Sequence, residues 1–180
     1  MKKDVHEQHK EKGPKMVRLA LVVVSTSRFE EKQLGKESSD KTIPLVKDIL
    51  EKHNDISLIQ SKIIPDSNKY IKVILNKFLQ ESSINSIIFS GGTGLSKKDI
   101  TYETIKPIFE KEISGFGEIF RYLSYQEIGA AAILSRATAG KIGDKMIFLL
   151  PGSPNAIKLA LTEIIIPEIR HMIYIINKKE

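Results

Sequence analysis

The chain has no cysteine among its 180 residues. That absence excludes disulfides, thiolate metal ligands and cysteine nucleophiles. Long hydrophobic runs are also missing. The longest, such as 19–24 and 147–150, are far too short to span a bilayer. The first 15 residues are rich in Lys and Glu and hold no apolar stretch, so they do not read as a secretory signal. The four histidines do not cluster, and His6 and His9 are expected to be solvated. Common catalytic signatures are absent as well. There is no G-x-x-x-x-G-K-[ST] loop, no G-x-S-x-G elbow, and no G-x-G-x-x-G after a strand, because position 97 is lysine. P-loop, triad-hydrolase and zinc chemistry therefore drop out. Charge of one sign does not dominate either. Of the formal +6, residues 1–15 contribute +2, and the remainder carries 23 basic and 19 acidic side chains. These bases are spread along the chain without interleaved aromatics, so nucleic acid is not expected as a partner. A cytoplasmic location without membrane contact is the expectation, and a modest positive field suits an anionic small molecule.

What is present is an alternation of strand and helix patterns. Residues 1–15 read as a flexible or docking arm, and 16–180 as a single domain. Residues 17–25 are a largely apolar, Val- and Leu-rich run, the pattern of a strand buried on both faces. A polar loop is expected over 26–39. Helical spacing follows over 40–54, with Asp40 placed as a cap, and again over 68–81. Residues 56–64 alternate like a more exposed strand, and 84–89 form another apolar one. The block 101–137 reads as helix-rich, broken at Pro107 and restarted at the capping-box pattern Ser124-Tyr-Gln-Glu127. A last buried strand, 146–150, precedes a helix through about 166, which Pro167 ends or kinks. Such βαβα alternation predicts an α/β fold with a mostly parallel sheet covered on both faces.

Three apolar strands end in small polar residues: Ser25-Thr26-Ser27, Ser90-Gly91-Gly92-Thr93-Gly94, and Pro151-Gly152-Ser153-Pro154-Asn155. Ligands bind at the carboxyl ends of strands in open parallel sheets, so these three loops are expected to form one site. Glycines admit close backbone approach and left-handed turns, which lets successive N–H groups receive an anion. Ser153 is a candidate N-cap with Pro154 at the first helical position, and the free N–H groups of a helix start also favour anions. Lys97, Lys98 and Asp99 follow the glycine loop at once. Carboxylate and Mg²⁺ chemistry on a phosphorylated ligand remains, with Asp99 and either Asp40 or a glutamate such as Glu118 as metal ligands. Asp40 reads equally well as a helix cap alone.

In order and spacing, these pieces resemble the MoaB/MogA family of molybdenum cofactor biosynthesis proteins over roughly 17–169. The carriers are Val24-Ser25-Thr26-Ser27, the 90–94 loop with Asp99, Gly115-Phe-Gly-Glu118 with Phe120-Arg121, Leu134-Ser135-Arg136-Ala137 with Gly140, and Leu150-Pro-Gly-Ser-Pro-Asn-Ala156. The resemblance implies a three-layer α/β/α sandwich, molybdopterin as substrate, and transfer of AMP from Mg-ATP to its terminal phosphate. It implies a trimer or hexamer, and a MoeA-type metal-insertion protein as partner. By position it makes Asp99 and Asp40 the catalytic and Mg²⁺-binding acids. It puts Ser25, Thr26, Gly91, Gly92, Thr93, Gly94, Lys98, Ser135, Pro151, Gly152, Ser153 and Asn155 on the substrate and nucleotide. Active members carry an arginine before the acid and a D-x-S-G pattern in the first long loop. Here Lys98 and Lys32-Gln33-Leu34-Gly35 stand there, which leaves a catalytically silent pterin-binding protein as the alternative.

Overall fold

The structure, a computed structural model, describes residue 7 and residues 11–178. Most of the expected arm, with His6 and His9, lies outside the described residues. Where the arm meets the domain it is docked: the Pro14 carbonyl accepts from Arg170 Nε at 3.0 Å.

The organising strand is β1 (Val17–Val24), buried along its length except at Arg18. It is followed by α1 (Thr26–Gln33), α2 (Thr42–Leu50), β2 (Ile56–Ile64), α3 (Asn68–Gln80) and β3 (Ser86–Ser90). The second half comprises α4 (Thr101–Ile105), a 3-10 turn, β4 (Lys111–Glu112), α5 (Ser114–Ile128) and a 3-10 stretch (Gly129–Leu134). Strands β5 (Thr138–Ile142) and β6 (Lys145–Leu150) precede α6 (Pro154–Leu159), a π-helical turn (Ala160–Ile165) and α7 (Ile166–Asn177). Among the described residues the strands form one six-stranded sheet in the order β2-β1-β3-β6-β5-β4. Strands β2, β1, β3 and β6 are parallel, and β5 and β4 run antiparallel at one edge.

Side chains alternate across this sheet with the two-residue period of a strand. Leu19, Leu21 and Val23 face one side with Phe148 and Leu150, packed by α2, α5 and the α6–α7 helices. Ala20, Val22 and Val24 face the other with Phe89 and Leu149, packed by α3 and Ile105 of α4. The expected three-layer α/β/α sandwich is thus the observed one.

Several local expectations are corrected. Residues 26–33 are helical rather than looped. Glu30, Glu31, Lys32 and Gln33 are good helix formers, and Phe29 anchors the helix edge-on to Tyr70 of α3, with centroids 5.6 Å apart. Helix α5 does not restart at Ser124. Phe116, Phe120 and Ser124 lie four residues apart on one buried face, so the helix runs through. The helix also passes through Pro167, because the widened π turn just before it relieves the clash and the lost bond that proline brings to a regular helix. Strand β5 was not foreseen. It pairs with β6 across Gly143-Asp144, a two-residue hairpin with Gly143 at φ 59°.

At the amino end of the sheet Lys145 is buried. Its Nζ donates to the carbonyls of Glu81, at 2.9 Å, and Ile84, so a charge inside the core is satisfied by backbone oxygens. Phe148 fills the layer between β6 and α5, its ring 5.3 Å from that of Phe116. Phe148→Ala should destabilise the domain by about 3–5 kcal/mol, read from the midpoint of chemical denaturation, with the m-value unchanged.

Candidate anion-binding site at the strand ends

The register aligns four strand ends. Val24 pairs with Ile64, Val23 with Ser90, and Ser90 with Leu150. The residues that follow, Ser25, Pro65-Asp66, Gly91 and Pro151, therefore leave the sheet at one level. Backbone bonds carry the alignment one residue further, with Ser25 N to Ile64 O at 2.8 Å and Gly91 N to Leu150 O at 3.0 Å. Strand β1 sends one connection to β2, with α2 packed on one face. The return from β2 to β3 on its other side carries α3 on the opposite face. The β1/β3 junction is thus a topological switch point, where open sheets bind ligands.

A cavity of about 540 Å³ opens there, within the range of small-molecule sites. Its floor is the glycine loop with Pro151, Gly152 and Ser153. Ser25, Ser27, Arg28, Asp66 and Asp99 supply polar walls. Phe120, Ile128, Ala131, Ala132 and Leu134 supply an apolar wall, and Ser135 and Arg136 close it. A second, more polar recess adjoins it, lined by Thr26, Lys97 and Lys98 and sharing Ser25, Ser27 and Asp66.

The three loops predicted from sequence do converge. Ser25, Gly91, Gly92, Thr93, Gly94, Asp99, Ser135, Pro151, Gly152 and Ser153 line the cavity, and Thr26 and Lys98 line the adjoining recess. Asn155 is exposed and lines neither, and neither does Glu118. Asp40 is also outside. Its Oδ2 accepts from Ile43 N at 2.9 Å and its Oδ1 from Thr42 N at 3.2 Å, so it caps the start of α2. Its side chain, 3% exposed, also faces Arg28 Nη1 at 3.4 Å and so steadies an arginine of the cavity wall.

Asp66 was missed by sequence reasoning. One oxygen, Oδ2, accepts from the N–H and hydroxyl of Thr26 at 3.0 and 3.1 Å, and the Thr26 hydroxyl accepts from Asp66 N. No hydrogen bond or ion pair within the described residues engages Oδ1. The signal was the Pro65-Asp66-Ser67 turn directly after a strand, which reads as a turn until the register puts it beside the glycine loop. Arg28 was hidden by the loop expectation for 26–39.

The glycine loop takes the geometry its residues allow. Gly91 and Gly92 have φ values of 104° and 64°, left-handed backbone that favours glycine. The N–H groups of Gly92, Thr93 and Gly94 have no acceptor among the described residues. Ser153 caps α6 by accepting from Ala156 N at 3.3 Å, with Pro154 at the first helical position. Asp99 Oδ2 accepts from Ser96 N at 3.1 Å, which folds the segment after the loop back on itself. Close by, the Arg136 guanidinium holds the Glu103 carboxyl below its ordinary range, chiefly through their hydrogen bond. Among the described residues, no three His, Asp or Glu side chains gather as a metal cluster. The two carboxylates that line the cavity, Asp66 and Asp99, are of the type that holds Mg²⁺, which takes one or two protein oxygens and keeps several waters. No described helix is long and apolar enough to cross a membrane.

Comparison with known proteins agrees with this geometry. Residues 20–171 match the model of a family described as a probable molybdopterin binding domain. Molybdenum cofactor biosynthesis protein B of Halalkalibacterium halodurans is 41% identical over 167 residues, 92% of this chain and 94% of that protein. The crystal structure of a molybdenum cofactor biosynthesis protein B superposes with a TM-score of 0.82 at 35% identity, over 92% of this chain and 99% of that one. That of the tungsten cofactor synthesizing protein MoaB from Pyrococcus furiosus superposes with a TM-score of 0.77 at 37% identity, again over 92% and 99%.

A Cβ on Gly91 would collide with the Val24 carbonyl. Gly91→Ala should therefore cost at least about 1–3 kcal/mol of stability in urea denaturation, from strain at this backbone angle alone.

Proposed function

The chain belongs to the family of probable molybdopterin binding domains, and from that premise we propose that it works in molybdenum or tungsten cofactor biosynthesis as a molybdopterin adenylyltransferase. The observation that carries this reading is the single cavity at the β1/β3 switch point. There a glycine loop whose N–H groups have no acceptor among the described residues, a capped helix start and the two carboxylates Asp66 and Asp99 meet.

The pterin ring suits the apolar wall of Phe120, Ile128, Ala131 and Leu134, and its phosphate suits the floor. The triphosphate of ATP suits the adjoining recess, where Lys97 and Lys98 offer charge. A terminal phosphate oxygen of molybdopterin attacks the α-phosphorus of ATP. A new P–O bond forms, the bond to the β-phosphate oxygen breaks, and pyrophosphate leaves. The attacking group is already an anion, so no histidine or cysteine base is needed. The protein's part is alignment of the two phosphates and stabilisation of charge growing on them. Backbone N–H groups of the 91–94 loop supply the dipoles, and Arg28 and the lysines supply the cations. Mg²⁺, arriving with ATP, would be held by Asp66 and Asp99 and would neutralise phosphate charge. Asp40 acts through Arg28 rather than on substrate. The adenylylated pterin passes to a MoeA-type metal-insertion protein.

Self-association belongs to the same reading. Ile119, Tyr122, Tyr125, Ile128, Ile133 and Leu134 form an exposed apolar ridge along α5 and the 3-10 stretch. Ile128 and Leu134 also line the cavity, so a neighbouring copy on this ridge would border the site. Exposed apolar surface of this kind marks interaction sites.

Anaerobic incubation with molybdopterin and Mg-ATP should yield adenylylated pterin and pyrophosphate. Asp99→Ala and Asp66→Asn should each lower turnover at least about 100-fold while pterin still binds, as expected when groups acting on transition-state charge are removed. Wild-type protein that binds pterin without releasing pyrophosphate would instead establish the non-catalytic pterin carrier, with Lys98 at the departure from the family pattern. Light scattering should give a trimer or hexamer, and Tyr122→Glu should shift it toward monomer.

A further inference from the structure

One side chain anchors the glycine loop through its carbonyls. Arg136 Nε donates to Thr93 O at 2.9 Å, and Nη2 donates to Gly94 O at 2.6 Å. The preceding carbonyl, of Gly92, accepts from Thr101 N at 2.8 Å. Three consecutive carbonyls are thereby engaged. In a planar peptide the N–H points opposite to the carbonyl, so these bonds set the directions of the N–H groups of Thr93, Gly94 and Leu95. None of those groups has an acceptor among the described residues.

Arg136 is in turn fixed by α4. Both of its terminal nitrogens donate to the Glu103 carboxylate, Nη2 at 3.2 Å, and its guanidinium carbon lies 4.7 Å from the Tyr102 ring centroid. A guanidinium is a rigid planar fork with five donors. Here the fork spans two adjacent carbonyls on one side and a carboxylate on the other, and the ring packs against it. A lysine ammonium could not span that arrangement.

We propose that Arg136 is the positioning residue of the anion cradle: it holds residues 91–94 in the one conformation whose free N–H groups receive the ligand's phosphate. This rests on reading that loop as the phosphate-binding element. The arginine does not itself touch the reacting atoms in this role. It acts through the backbone it orders, and Tyr102 and Glu103 keep it aimed.

The test uses ¹⁵N-labelled full-length protein with inorganic pyrophosphate as the probe. In wild type the amides of 92–95 should show the high heteronuclear NOE of ordered backbone, and their shifts should move on pyrophosphate addition. Arg136→Gln should keep a near-native melting temperature, lose the high NOE at these amides, and bind pyrophosphate about tenfold more weakly, as when charge-assisted bonds that order a site are removed. Arg136→Lys should fall between the two, and it carries the comparison should the glutamine variant fail to fold. Arg170→Gln is the control, because Arg170 bonds the Pro14 carbonyl and pairs with Asp55, neither of which lines the cavity. It should leave both readouts unchanged. Wild-type NOE and affinity in Arg136→Gln would overturn the positioning role. A wild-type loop ordered by Arg136 yet silent to pyrophosphate would overturn the phosphate-cradle reading instead, and with it the ligand half of the proposal.

Discussion

Burial of β1 on both faces is the constraint from which the rest follows. A strand whose side chains enter two cores cannot slip by one residue without exchanging every contact of both layers. Its parallel neighbours on either side are therefore held in register, and their ends fall level. The site needs that level edge more than it needs any single side chain. Ser25, Asp66, Gly91 and Pro151 are far apart in sequence, and they share a cavity because each is the first or second residue after an aligned strand. Function here is an edge property of a well-registered sheet.

Much of this was legible beforehand, for identifiable reasons. Residues 19–24 and 146–150 are apolar without alternation, and only a two-sided core accommodates that in an α/β chain. The glycine loop, the Ser153-Pro154 helix start and Asp99 stood out because their chemistry is written within ten residues of a strand end. What escaped depended on contacts distant in sequence. Asp66 lies in an ordinary turn, and only strand register brings it to Gly92. Asp40 is placed well for a ligand by spacing alone, yet its oxygens are spent on the α2 start and Arg28. Helix α1 escaped because it buries no residue and so carries no apolar period. The continuation through Pro167 depends on a widened turn that periodicity does not encode.

The site gathers its polar groups without a histidine or cysteine in its lining. Its polar groups divide into backbone donors, which never change charge, and the hydroxyl, carboxylate and guanidinium side chains around them. Carbonyls are bound on one side of the glycine loop by Arg136 and Thr101, and the opposite edge of each peptide is left for a ligand. The cost of ordering the loop is met during folding rather than on encounter with ligand, the arrangement that favours binding by a preorganised site.

The closeness of Gly91 and Gly152 has an evolutionary consequence. A Cβ on Gly152 would lie 3.2 Å from the Gly91 Cα, so two backbones meet where no larger side chain fits freely. At that contact the floor of the cavity is therefore made of backbone atoms, which every amino acid shares. Mutation can break such a floor but cannot retune it. Room to change ligand preference lies instead in the walls, at positions such as Ile128, Ala131 and Leu134. The floor fixes where a ligand sits, and the walls decide which ligand fits.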